Sequence, residues 1–168
     1  MGAMSVEVVR SPRRRKTVQA ERRGRTVVVT LPAGMTRAEE RHWVDTMVER
    51  LLRKERLQRL NGSQDLERRA QELNRRYFGG RLRWASIRYV RATRSRFASC
   101  TPEDRTIRVS ERVADLPSWV RDYVLVHELA HLRIAGHTPA FWRLVERYPL
   151  TERARGFLLA LGPDGPLG

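Results

Sequence analysis

Cysteine is almost missing from this chain: Cys100 stands alone in 168 residues. That excludes an internal disulfide framework and agrees with a reducing compartment. It equally excludes a structural zinc site built on two or four cysteines. Lysine is scarce as well, with only Lys16 and Lys54, and no methionine follows Met47. No apolar run approaches the roughly 18 residues that a membrane span needs. The opening lacks a signal-peptide pattern, since its basic residues are followed by alternating valines rather than a continuous apolar stretch. A cytoplasmic protein with no membrane partner is the expectation. Met1-Gly2-Ala3-Met4 reads as a cloning scar.

Arginine is what the chain has in excess. It supplies 32 of 34 basic residues against 19 acidic ones, for a net charge of +15. The surplus is uneven: residues 1–34 carry +6 (8 basic, 2 acidic), 35–76 carry +3 (11 and 8), 77–116 carry +5 (9 and 4) and 117–168 carry +1 (6 and 5). Arginine's planar donor fork suits an anionic partner, a nucleic acid or a nucleotide. A solvated basic surface from a GC-rich coding sequence accounts for it equally well, and no nucleic-acid-binding motif stands beside the charge.

Patterning divides the chain into a basic β-hairpin over 1–34, a connecting helix over 35–62, a larger domain over 63–161 and a flexible tail over 162–168. Together these are expected to form one compact unit. Val6 to Val9 and Thr26 to Leu31 read as paired strands flanking a basic stretch. Thr36 caps a helix whose inward face is Val44, Met47, Val48, Leu51 and Leu52. A second helix presents Leu66, Ala70, Leu73 and Tyr77 and ends at Gly79-Gly80. Alternation over 84–110 predicts three antiparallel strands. Pro117 opens a helix that Gly136 ends, Thr138-Pro139 restarts one, and Thr151 caps the last. The fold class is α+β, a small antiparallel sheet packed on helices.

Three of the four histidines fall in residues 127–137, His-Glu-Leu-Ala-His-Leu-Arg-Ile-Ala-Gly-His. His127 and His131, four apart, project from one face of a helix and can share a zinc ion. Glu128 then reaches a water on that metal and serves as its general base. Catalytic zinc wants three protein ligands and one open position. His137 is favoured as the third, because Gly136 and the Thr138-Pro139 helix start frame a turn that presents it. Glu146 or Glu152 is the alternative. The alternative to any metal site is a set of core histidines satisfied by hydrogen bonds. His42, among charges, is surface, and Cys100 is a small buried apolar group. Arg96, Arg143 and Tyr148 are candidates to stabilise an oxyanion.

Metzincins share the spacing from His127 to His137, but Ile134 stands where their glycine falls, and the Met-turn methionine is missing. Instead, Val124-Leu125-Val126-His127-Glu128-Leu129-Ala130-His131, then Gly136-His137 and Phe141-Trp142, resemble the YgjP-like metallopeptidases, relatives of the SprT-like and WLM zinc proteases. Arg96-Phe97-Ala98-Ser99-Cys100 is similar to that family's R-W-G-S-C strand, with Phe97 and Ala98 replacing Trp and Gly. The basic hairpin with Val27-Val28-Val29 is like the start of those proteins. The resemblance implies a zincin-like fold with the metal on a helix, His127, His131 and His137 as ligands, and Glu128 as base.

A zinc-dependent peptidase acting on protein or peptide follows as the leading expectation. A zinc site beside arginines could also cleave a phosphoanhydride, which makes a nucleotide hydrolase the second reading. A DNA-associated protease or a nucleic-acid-binding module with structural zinc is the third.

Overall fold

The computed structural model describes residues 4–92 and 96–161. Residues 1–3, most of the stretch read as a cloning scar, and 162–168, read as a flexible tail, lie outside the described residues. The chain forms two units, Met1–Arg56 and Leu57–Gly168, and the fold is α+β with small mixed sheets packed on helices.

The first unit holds β1 (Ser5–Ser11), β2 (Gln19–Arg23), β3 (Thr26–Pro32) and most of α1 (Arg37–Gly62). The two valine-rich strands pair, but in parallel, with Val8 opposite Val29. The antiparallel partner of β3 is β2, which lies inside the basic stretch. Gly24, with φ 60, supplies the positive angle that the tight β2–β3 turn needs. Arginine is tolerated in β2 because Arg22 forks onto Glu55, both bonds 2.7 Å. Val27, Val29 and Leu31 form the fully buried floor under Val44, Met47, Val48 and Leu51 of α1, while Leu52 stays exposed. Thr36 and Glu39 close a capping box at the start of α1: the Glu39 N–H donates to Thr36 Oγ1, and the Thr36 N–H to Glu39 Oε2.

The second unit holds α2 (Asp65–Phe78), β4 (Ser86–Val90), β5 (Ala98–Thr101), β6 (Thr106–Ser110), a 3-10 turn (Glu111–Asp115), α3 (Ser118–His131), α4 (Pro139–Val145) and α5 (Thr151–Ala160). Its three strands are not all antiparallel. β5 and β6 form a hairpin, whereas β4 joins the far side of β6 in parallel, giving the order β4-β6-β5. Alternation identifies a half-buried strand but not its neighbour or direction, so the sequence could not distinguish the two arrangements.

Two asparagines fix the route of the backbone. Asn74, buried on α2, accepts from the Leu82 N–H and donates to the Leu82 carbonyl after the chain turns at Gly79 and Gly80, both at positive φ. Asn61 makes the same pair of bonds to Tyr89 of β4. Helix boundaries depart from expectation at two points. α3 ends at His131, five residues before Gly136. Thr151 is the first helical residue of α5 rather than its cap, and its hydroxyl lies 3.0 and 2.8 Å from the carbonyls of Val145 and Tyr148, tying α4 to α5.

Candidate metal centre

α3 is the spine of the second unit. No glycine or proline interrupts Ser118–His131, and every residue from Asp122 to Ala130 is buried. Helices of that kind lie inside a core rather than on it. The one acid in the first half, Asp122, is held by a forked pair of bonds from Arg69 at 2.8 and 2.6 Å. His127 and Glu128 are therefore buried, 1% and 2% exposed, while His131 at the helix end is half-buried.

The return of His137 is built from local bonds. The N–H groups of Arg133 and Ile134 both donate to the Ala130 carbonyl, tightening the chain beyond α3. Thr138 N–H donates to the Gly136 carbonyl, and Thr138 Oγ1 accepts from Phe141 N–H as the cap of α4. Phe141, fully buried, packs against all three imidazoles with ring centroids 4.4–4.9 Å away. Trp142 stacks on the exposed His137 ring at 5.6 Å.

The three Nε2 atoms converge: His127 to His131 is 3.2 Å, His131 to His137 is 3.2 Å and His137 to His127 is 3.0 Å. Hydrogen bonds cannot satisfy this triangle. Each nitrogen is either donor or acceptor, so at least one of the three pairs must be alike. A cation accepting three lone pairs removes the conflict, and nitrogens bound at about 2.0–2.1 Å around tetrahedral zinc stand roughly 3.3 Å apart. The residues present fit a metal ion.

Protonation points the same way. Burial, then the other two imidazoles and Arg155, lowers His127 to about 3, and burial lowers His131. Both rings are thus neutral at pH 7, the form that offers a lone pair. His131 Nδ1 lies 3.1 Å from the Ile134 carbonyl, which can only accept. Burial pushes the Glu128 carboxyl up to about 8, against the pull of Arg96.

A pocket of about 300 Å³ opens over these groups, with Glu128, His131 and His137 on one side and Ala98, Ser99 and Cys100 of β5 on another. Arg96 and Glu103 complete it. Of the three candidate oxyanion groups only Arg96 is brought here. Arg143 is exposed on α4, and the buried Tyr148 donates its hydroxyl to the Trp119 carbonyl at 2.8 Å. Glu146 and Glu152 are exposed and join no cluster with the histidines among the described residues. Cys100 remains a thiol, because burial and nearby Glu128 and Glu103 push it up to about 12. His42 is exposed on α1. Ser99 falls in the stretch that resembles the family's R-W-G-S-C strand, whereas Glu103 had no signal in the sequence as a pocket residue, and the β5–β6 hairpin places it there. A hollow of similar size, about 320 Å³, lies around Leu66, Tyr89 and Arg121 and contains no histidine.

The family description YgjP-like, metallopeptidase domain, matches residues 17–158. The chain belongs to the YgjP-like metallopeptidase family. The family implies a divalent metal, and the three-histidine cluster lies where one could be held. No curated protein matches the chain. Among solved structures, the metallopeptidase zymogen of Pyrococcus abyssi abylysin matches at a TM-score of 0.53 and 22% identity. That likeness, covering 61% of this chain and 99% of the other, is one of fold. This YgjP-like protein is therefore a metal-dependent peptidase, whose family suggests protein or peptide substrates. Among its described residues, no helix is long and apolar enough to cross a membrane.

Proposed function

We propose that this YgjP-like protein is a zinc peptidase in which His127, His131 and His137 hold the ion and Glu128 is the general base. The observation that carries the reading is the convergence of three Nε2 atoms within 3.2 Å beside a pocket that Glu128 also lines. Zinc would supply Lewis-acid polarisation of the scissile carbonyl and of the attacking water.

The chain's own groups do the rest. Glu128 takes a proton from the water as the new C–O bond forms, then gives it to the departing amine as the C–N bond breaks. A dication beside the carboxyl would draw it down from its raised value, making it a base at neutral pH. Arg96 can stabilise the negative charge that develops on the carbonyl oxygen. Glu103 on the same wall opposes a polyphosphate, which favours a peptide over a nucleotide.

The test pairs zinc content with proteolysis of an unfolded protein. Glu128→Gln should keep zinc at one per chain and lose at least 100-fold in kcat, on the order of a general base's contribution. A fully active variant removes Glu128 from the role, and wild-type protein that takes up no zinc removes the whole reading.

A further inference from the structure

The buried polar side-chain atoms without a hydrogen-bond partner within the protein include His127 Nδ1, Tyr123 Oη and Arg155 Nε. Tyr123 precedes His127 by one helical turn on α3, its ring 6.0 Å from the imidazole, and it is fully buried. Arg155, on α5, acts electrostatically on both. Its guanidinium also lies 4.8 Å over the Trp142 ring, whose other contacts include the stacked His137. One arginine thus bears on His127 through its charge and on His137 through the Trp142 ring between them.

We infer that Arg155 and Tyr123 are positioning residues for the metal site. Arg155 fixes His137 by clamping Trp142, and it fixes His127 through a buried water shared with Tyr123. This rests on the zinc reading above.

The donor inventory leads to water. With Nε2 turned to a metal, His127 Nδ1 carries the proton and must donate; Arg155 Nε can only donate. Two donors need an acceptor with two lone pairs, and the Tyr123 hydroxyl then accepts in return. A water meets all three demands, and buried waters commonly make about three such bonds. Partners of this kind set the tautomer and aim of a ligating imidazole, and removing one typically costs about 10–100-fold in metal affinity. Arg155 keeps its place because its Nη1 donates to Glu152 at 2.8 Å, leaving Nε to face inward.

Zinc affinity of the full-length chain, measured by competition with a chromogenic chelator, tests this without relying on activity. Tyr123→Phe should weaken zinc about 10-fold or more while the metal-free protein melts no lower. Arg155→Lys keeps a cation for Trp142 but loses the inward donor, so it should bind more weakly than wild type and better than Arg155→Met. In the zinc-loaded wild type, nitrogen-15 NMR should show His127 protonated at Nδ1, with that proton exchanging faster in Tyr123→Phe. Tyr123→Phe with unchanged affinity and a higher melting temperature would mean an idle hydroxyl, and the inference fails. Affinity that falls only in step with metal-free stability also overturns it. Wild-type protein that binds no zinc would instead sink the zinc reading.

Discussion

His131 Nδ1 sits 3.1 Å from the Ile134 carbonyl, three residues along the same chain. The bond turns the ring so that Nε2 faces His127 and His137, and it explains why α3 stops where it does. A regular helix through residue 136 would carry that carbonyl away from the ring. The end of α3 short of Gly136 and the convergence of the three imidazoles therefore share one cause.

Removing the metal should loosen the second unit, because two of its ligand candidates lie on the core helix. At free zinc 100 times the dissociation constant, binding adds about 2.7 kcal/mol, or roughly 5–10 °C in melting temperature for a chain of this size. Calorimetry before and after chelation, then with zinc restored, measures it. An unchanged melting temperature with wild-type zinc content would show that the site is uncoupled from the fold.

The three histidines should differ in what their loss does. His137→Ala removes an exposed ring at the pocket mouth, so zinc affinity should drop by orders of magnitude while the metal-free protein stays folded. His127→Ala empties a fully buried position and should weaken the metal-free protein too, by about 2–4 kcal/mol on the scale of core truncations. Urea unfolding of both variants without metal separates them; equal stabilities would contradict this account.

Metal-free protein should be most stable between about pH 4.5 and 6.5. His127 falls from an ordinary 6.5 to about 3 on folding, so the unfolded chain binds more protons in that interval and stability climbs as pH rises. Glu128 goes the other way, from 4.5 to about 8, so the folded chain holds the extra proton and stability declines over that range as pH rises. The two slopes, each at most about 1.4 kcal/mol per pH unit, cancel where they overlap. Glu128→Gln should abolish the alkaline decline and leave the acid one. Urea midpoints at pH 4, 5.5 and 7.5 decide it, and an alkaline decline that survives the substitution assigns it elsewhere.

Asn74→Ala should cost about 1–3 kcal/mol, since it strands a buried N–H and carbonyl of Leu82. Urea unfolding reads the loss, and a change under 0.5 kcal/mol, about the size of a surface substitution, would mean that water replaces the amide.

The parts legible in the sequence were those with a local cause. A 3.6-residue period fixed α3 and the shared face of His127 and His131, and the Thr138-Pro139 signal set the start of α4 and so the return of His137. Long-range pairing left no such trace. Nothing in the pattern of 84–110 shows β4 parallel to β6, and β2 lay hidden among arginines because its partner carboxylate is at Glu55, 33 residues from Arg22. Asn61 reads in the sequence as part of the break that ends the first helix, yet it is helical and grips Tyr89. An asparagine gives no sign of which distant backbone it will bond, and the same holds for Asn74. Tyr148 has the right chemistry for an oxyanion, but its hydroxyl is bonded to Trp119.

Both sheets place their last-made strand in the middle: β3 lies between β1 and β2, and β6 between β4 and β5. On the ribosome, then, the first two strands of each set emerge with no partner to pair with, and the third completes both ladders at once. Until Thr106–Ser110 has been synthesised, the β5 wall of the pocket has nothing to hold it. The histidines follow later still, so the cleft wall can be finished before the helix that would carry the metal leaves the exit tunnel.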